Sequence, residues 1–430
     1  MTAPTPIRTK AETALMAQYE ALRRELPKQA AGQSAREAAM ATFAASGLPH
    51  RRIEAYHYTD LRNLLREAAP LAHRPSATAG SSVEAGRFLG DIDAHEIIFV
   101  NGSLMHAEGL ASQLPKGVSI GMVADTAPGI LDGNDAVVAL NTALSRETVT
   151  LEIAQGVAVE RPLHLAFIQD AGAPQAVFAR VCVRIGEGAS VTLLESHEGP
   201  NAIATQSNIG VEIAAADDAR VEHVRVNAEG DKAFSLSSLG LSLGHRACAL
   251  SLNLILGSAI SRHQILARFA GAEAKLRLDG VGMLDGGRHA DVTLVVDHAM
   301  PGGESRELFK TVVDDRANAI FQGKIIVRPH AQKTDGKMMS AALLLSEDAS
   351  MSNKPELEIF ADDVQCGHGA TCGALDENLL FYLMARGIPR REAQAILIRS
   401  FLGEALEELS SDELREALGG LIDSWLVRRS

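Results

Sequence analysis

The stretch IGEGASVTLLE, Ile185 to Glu195, closes one run of alternating apolar residues and opens another, with two glycines and a single alanine at the break. Before it Val181, Val183 and Ile185 alternate with polar residues, and Val149, Leu151 and Ile153 do so further upstream. A period of two is the mark of a strand with one buried face. The break itself recurs. A turn-like pair precedes "Ala-x-apolar" at Ala189 (GASV), Ala219 (DARV), Ala247 (RACA), Ala274 (EAKL), Ala317 (RANA) and Ala349 (DASM), at intervals of 30, 28, 27, 43 and 32. Short strands with a small corner residue at such a period are what a stacked β-solenoid requires, because each coil covers its apolar face only with the next. The expected solenoid runs over about residues 149 to 365. A β-sandwich with regular hairpins is the competing reading. Neither the six-residue repeat of hexapeptide solenoids nor a recurring acidic cluster is present, so the pattern specifies an architecture without an activity.

Outside the strands the period is helical. In KAETALMAQYEALRRELP the residues Leu15, Tyr19, Leu22 and Leu26 recur at helix spacing and Pro27 stops them. Ser34 reads as the cap of a second helix that runs to Ala45 and stops at Gly47-Leu48-Pro49. Pro70 to Gly86, rich in Pro, Ser and Gly without periodicity, reads as a linker. Beyond Gly373, Asp376 caps ENLLFYLMARG with a stripe of Leu379, Leu380 and Leu383, and REAQAILIRSFLGEALEEL carries Ala395, Ile398, Leu402 and Leu406. That second stripe is either core or a face shown to a partner. The expected organisation is therefore an N-terminal helical domain (1–75), a linker and mixed connecting segment (76–148), a β-solenoid (149–373) and a C-terminal helical domain (374–430).

The chain has 430 residues and a net charge of −13, with 22% charged and 46% hydrophobic residues. The acidic balance and the scattered short basic pairs exclude nucleic acid as a partner. No apolar leader and no stretch long enough to span a membrane stand in the sequence, and four cysteines in so long a chain read as reduced thiols, so a cytoplasmic protein is expected.

Chemistry-bearing residues concentrate in VQCGHGATCG, Val364 to Gly373. On an extended backbone Cys366 and His368 share a face, and Gly367 and Gly369 leave the other nearly bare. A thiolate beside an imidazole suits iron or zinc, with Cys372 as a possible third ligand; the pair also suits a nucleophile with its base, or plain packing. A complete structural zinc site wants four ligands in two close pairs, and a second pair is missing. Any metal held here must borrow ligands, for instance from another chain. The pairs Asp314-Asp315 and Asp362-Asp363 read as turn residues. The glycines of GVGMLDGG have no helix after them and do not cradle phosphate. His263, His289 and His298 stand in successive strand segments where a solenoid has the means to bring them together.

These residues also carry a family likeness. KPELEIFADDVQCGHGATCGALDENLLFYLMARGIPRREA, with KTDGKMMSAALLL before it and with RRIEAYHYTDLRNLL and ERPLHLAF upstream, resembles the SufB/SufD family of iron–sulfur cluster assembly proteins. The SufD type is the better match, because the cysteine typical of a SufB-type strand is replaced by Thr334 in KTDG. The resemblance implies a mainly β protein, a right-handed parallel β-helix flanked by N-terminal and C-terminal helical domains. It implies a non-catalytic scaffold that pairs with a SufB-like subunit, or with itself in isolation, and docks a SufC-like ABC ATPase. His368 and, secondarily, Cys366 would face a transient iron–sulfur cluster at the subunit interface, with Cys372 dispensable because it departs from the family's usual aliphatic residue. Arg390, Arg391, Ile398, Arg399 and Phe401 would form the ATPase dock. Two other classes compete: a β-helix enzyme acting on polysaccharide, which needs a groove of acids and aromatics, and a zinc-stabilised interaction protein. Four tyrosines and one tryptophan argue against the former.

Overall fold

A computed structural model describes residues 8–26, 33–75, 88–123 and 129–428. From Thr148 onward the chain alternates between two sheets, laying down one strand in each per coil, and every neighbouring pair is parallel. One sheet of ten strands holds Leu163–Ile168, Ser190–Glu198, Arg220–Ala228, Cys248–Ile255, Lys275–Leu284, Glu304–Val313, Asp335–Leu344 and Gln365–Gly373 in that order. The other, of nine, holds Thr148–Ile153, Ala176–Ile185, Gln206–Ala215, Phe234–Leu243, Ile260–Phe269, His289–His298, Asn318–Val327 and Ser350–Ile359. The result is a parallel β-solenoid of about eight turns. It starts upstream of residue 149: His95–Val100 pairs in parallel with Leu163–Ile168, and Val118–Val123 closes the nine-stranded sheet as an antiparallel strand.

The corner motif has a physical cause. The residue before the corner leading into each of six successive strands of the ten-stranded sheet, Ser190–Glu198 to Asp335–Leu344, is left-handed: Gly188, Asp218, Arg246, Glu273, Gly302 and Lys333 all have φ between 52° and 71°. In that conformation each points its N–H at the carbonyl of the next coil, as in Asp218 N to His245 O (2.8 Å) and Arg246 N to Ala272 O (2.9 Å). The backbone ladder thus continues round the bend. The alanine that follows is fully buried because the turn leaves no room for more.

The irregular interval of 43 is two corners read as one. Ala189, Ala219, Ala247 and Ala274 precede strands of the ten-stranded sheet, whereas Ala317 and Ala349 precede strands of the other. At the first corner the motif is lost because Gly303 takes the alanine's place, and a Cβ there would lie 2.8 Å from His298 Nδ1 and from the Phe269 ring stacked on it. The next coil has Thr334, whose hydroxyl bonds the Ala331 carbonyl at 2.8 Å.

Helices cover both outer faces. Lys10–Glu25, started by a Thr9/Glu12 capping box, and Gln33–Ser46 pack with Ala136–Leu144 against Phe234 and Leu236. Ser34 falls inside the second helix rather than ahead of it, and its side chain lies outside the described residues. So does most of the expected linker, from residue 76 to 86. The segment from Glu54 to Thr59 locks this layer down: Arg262 lies 4.1 Å over the Tyr56 ring and pairs with Asp291, while the Tyr56 hydroxyl donates to Asp135 at 2.7 Å. On the opposite face Arg390–Gly403 and Asp412–Arg428 bury Ile398, Leu402, Leu418 and Trp425 against Leu194, Val226, Leu254 and Val312 of the ten-stranded sheet.

Where strands turn the first corner, coil meets coil at backbone distance. A Cβ on Gly271 would stand 2.1 Å from the backbone nitrogen of His245. Gly271→Ala is therefore expected to lower unfolding free energy by ~2–3 kcal/mol, read from urea denaturation, because no rotamer change relieves a clash with main chain.

Candidate functional site

The solenoid ends without a cap. Among the described residues no strand bonds the outer edge of Ser350–Ile359 or of Gln365–Gly373. Residues that are buried one coil earlier are half-buried or exposed here. The last strand keeps its alternation: Cys366 sits beside Gly336, His368 beside Met338 and Cys372 beside Ala342. Met338 belongs to the inner core and Cys366 packs on that core, so Cys366 and His368 share the bore side of the strand, as alternation predicts. His368 is exposed at the rim and Cys366 is half-buried. Burial pushes the Cys366 thiol up, against the Gly336 backbone hydrogen bond and with the charges of Asp335 and Glu307 adding to the rise. Cys372 is exposed, its thiol raised by partial burial, and it lies two residues beyond Ala370 near the strand's end. On the other face Gly369 is bare because Met339 Sδ lies 2.8 Å from where its Cβ would be.

The three other histidines do not converge. His263 bonds Ser237 at 2.8 Å in one coil, His298 bonds Ser305 at 3.0 Å in another, and His289 is on the outer face against Thr59 at 2.9 Å. Burial lowers the pKa of all three, that of His298 to about 4, which fits neutral packing groups. Among the described residues no three His, Cys, Asp or Glu side chains come together as a metal-holding group. Cys366 and His368 therefore have no third such side chain beside them among the described residues. The acidic pairs are turn residues: Asp315 is left-handed and takes a hydrogen bond from Gly286, and the Asp363 carbonyl receives the Lys333 N–H at 2.7 Å.

Sequence reading missed the polar interior. Glu195, His197, His223, Arg225 and Asn253 fall on inward positions and are almost wholly buried. Burial alone would raise the Glu195 pKa, but hydrogen bonds from His197 and His223 hold it well below the usual carboxylate range. Arg225 lies 3.3 Å from the same carboxylate and donates to Asn253 at 2.8 Å. Nearer the open end Glu307 is treated differently. It is 2% exposed, and burial raises its pKa to about 8 over the opposing pulls of a Ser305 hydrogen bond and the Arg306 charge. The signal was available as charged residues sharing the parity of Leu193 and Phe309.

The expected dock is only partly at the surface. Ile398 is fully buried against the solenoid and Phe401 is half-buried under Lys310, 4.5 Å from its ring, so the stripe of Ile398, Leu402 and Leu406 is core. Arg390 pairs with Glu377 at 2.8 Å and Arg399 with Asp423 at 2.8 Å, both at the surface, and Arg391 is exposed. In Glu377–Met384, capped by Asp376 as expected, only Leu380 is buried. Phe381 is 74% exposed, with Leu379, Tyr382 and Met384 beside it in sequence and Ile359, Phe360 and Ile396 nearby in the chain's last third.

Residues 167–401 match the SUF system FeS cluster assembly SufBD core domain, and residues 9–165 match the SufBD protein N-terminal region. The chain belongs to the SufBD family. It is 30% identical to the iron–sulfur cluster assembly protein SufD of Escherichia coli over 86% of this chain and 88% of that one. A SufBD family protein of Synechocystis is 27% identical over 86% of each, and chloroplastic ABCI7 of Arabidopsis thaliana is 24% identical over 89% of this chain and 84% of that one. Among the described residues no helix of this SufBD chain is long and apolar enough to cross a membrane.

The buried carboxyl gives a pH signature. A folded pKa near 8 against an unfolded value near 4.5 means that the Glu307 contribution is full below about pH 4.5 and is lost as pH rises through about 8. Glu307→Gln removes this loss. The stability difference between the variant and the parent should therefore grow in the variant's favour by about 4 kcal/mol from about pH 5 to about pH 9, read from denaturation midpoints.

Proposed function

We propose that this chain is a scaffold subunit, without turnover of its own, in a Suf-type iron–sulfur cluster assembly complex working in the cytoplasm. Its open solenoid end pairs with a SufB-like subunit, and its C-terminal helices dock a SufC-like ABC ATPase. A transient cluster is the cargo at the shared surface, met by His368 and secondarily by Cys366. The observation that carries the reading is the uncapped last coil with an incomplete Cys-His set at its rim. Two unpaired strand edges side by side call for a partner, and Lys354, Pro355, Glu356 and Glu358 on one of them restrict which partner fits. In isolation the same edge pairs two copies of the chain. Imidazole is neutral often enough near pH 7 to bind iron, and a second chain is the natural source of the missing ligands. Thr334 supports the scaffold assignment, since the position where a SufB-type chain is expected to carry cysteine is a buried corner hydroxyl tied to main chain.

The polysaccharide reading is not favoured. The groove along the flank of the ten-stranded sheet, about 610 Å³, holds acids (Glu222, Glu304, Glu408) among basic residues such as Arg220, Lys275, Arg277 and Arg306, but no aromatic side chain.

The ATPase dock moves from the buried stripe to the exposed side chains of Glu377–Met384, with Arg391 and Ile396 from the following helix. Phe381→Asp with Tyr382→Asp should abolish co-purification of the ATPase while leaving the melting transition in place. Ile398→Asp should instead destabilise the chain by roughly 3 kcal/mol or more, because it buries a charge. Retained ATPase binding in the first variant removes the dock from this helix. For the cluster site, His368→Ala should preserve folding and complex formation and cut cluster assembly in cells at least about tenfold, with Cys372→Ala within about twofold of the parent. Full activity of His368→Ala would return that residue to packing.

A further inference from the structure

The stretch RRIEAYHYTDL, Arg51 to Leu61, is held more firmly than its burial explains. Its loop is closed at the base by Arg62 N on the Pro49 carbonyl at 3.1 Å, and Ile53 N bonds His50 O at 2.9 Å in a tight turn inside it. From Arg51 to Tyr58 only Tyr56 is buried. The nine-stranded sheet nevertheless ties the loop down from three successive strands. In His289–His298, Asp291 accepts from the Thr59 hydroxyl and His289 bonds it at 2.9 Å; in Asn318–Val327, Gln322 donates to the Ala55 carbonyl at 3.2 Å; in Ser350–Ile359, Lys354 pairs with Glu54. Each anchor is one strand nearer the open end, and the last is on the uncapped strand itself. Arg51, Arg52 and Ile53 adjoin that last anchor and are all exposed, and among the described residues no carboxylate pairs with either arginine.

The uncapped strand is divided by charge along its length. Met351 and Leu357 pack on the inner core, so Lys354, Glu356 and Glu358 share the outer face on which the loop lies. By register Asp291 falls on the row of Ser352 and Gln322 on the row of Lys354, which puts the loop over the first half of the strand. Glu356 and Glu358 occupy the second half, with the exposed Asp362 beyond them. A two-fold axis that pairs two such strands antiparallel sets the first half of each against the second half of the other, so cations meet acids twice. We propose that the turn at Arg51, Arg52 and Ile53 is a clamp that grips the acidic half of this strand in a second copy of the chain when two open ends meet. This rests on the reading that the open end pairs two copies in isolation. The anchors at Thr59, Ala55 and Glu54 hold the turn in place beforehand, so little freedom is lost on contact. Ile53, 40% exposed, adds an apolar contact between the charges.

Sedimentation equilibrium of the full chain reads the dimer dissociation constant. Arg51→Glu with Arg52→Glu should raise it at least about tenfold at about 0.1 M salt and leave the melting transition of the chain in place. Glu358→Arg alone should also weaken the dimer, and adding it to the arginine pair should restore most of the affinity, because reversed charges again face one another. A control isolates the strand edge. Ser350 and Phe360 donate to the preceding strand, so Leu357, like Pro355, turns its backbone nitrogen to the open edge, and Leu357→Pro removes only an edge donor. A dimer lost in Leu357→Pro yet unchanged in the arginine variant overturns the clamp and leaves the open end as the pairing surface. A chain that is monomeric at every concentration, or a dimer indifferent to both variants, overturns the pairing and the clamp with it. An arginine variant that dimerises as the parent does but loses the SufB-like subunit also overturns the proposal, since the loop then has a different occupant.

Discussion

The β-domain depends on one backbone geometry: the left-handed residue before six successive corners into the ten-stranded sheet, whose N–H is handed to the carbonyl of the next coil. An L-residue there costs something on the order of 1 kcal/mol, and non-glycine residues accept it at four of those six corners, Asp218, Arg246, Glu273 and Lys333. They do so because the alternative is worse. A corner with an unpaired N–H forfeits a hydrogen bond between one coil and the next. Once the bend is bonded in this way, each coil is satisfied only by its successor. The stack then has no internal reason to stop, and the last coil must stand open.

That openness explains why candidate chemistry is found at the end of the β-domain and not along its flanks. Further back in the stack Glu195 also lies in the bore, yet its own strand supplies the His197 imidazole and the next coil supplies the His223 imidazole and the Arg225 guanidinium. Its charge is spent on holding strands in register. Among the described residues Cys366 and His368 have a neighbouring strand on one side only, so no coil covers their outward side.

Alternation and the corner alanines were legible because both are local. The two-residue period, the helix at Lys10–Glu25, the Asp376 cap and the shared face of Cys366 and His368 all follow from side-chain direction along a single element. What escaped was set by elements far apart in sequence. Gly303 replaces the corner alanine only because Phe269, from the preceding coil, already fills the space. Ile398 has the same pattern whether it meets solvent, a partner or a sheet, and what decides is that Leu254 and Val312 present an apolar outer face under it. The bore charges were hidden for a similar reason. A charged residue at an inward parity reads as a slip in the strand pattern until the coils on either side show which donors meet it.

Glu195 and Glu307 make the last point about what burial does to a charge. Both are carboxyls on inward positions of the same sheet, and both are nearly inaccessible to water. Desolvation acts on each in the same direction, yet one ends far below the usual range and the other about 8. The difference is the number of donors within reach, since hydrogen bonds to the ionised form offset a desolvation penalty that a distant charge offsets only weakly. Donors fixed by the fold make a carboxylate permanent. At Glu307 a Ser305 hydroxyl and the charge of Arg306 are too little to offset burial, so desolvation prevails there.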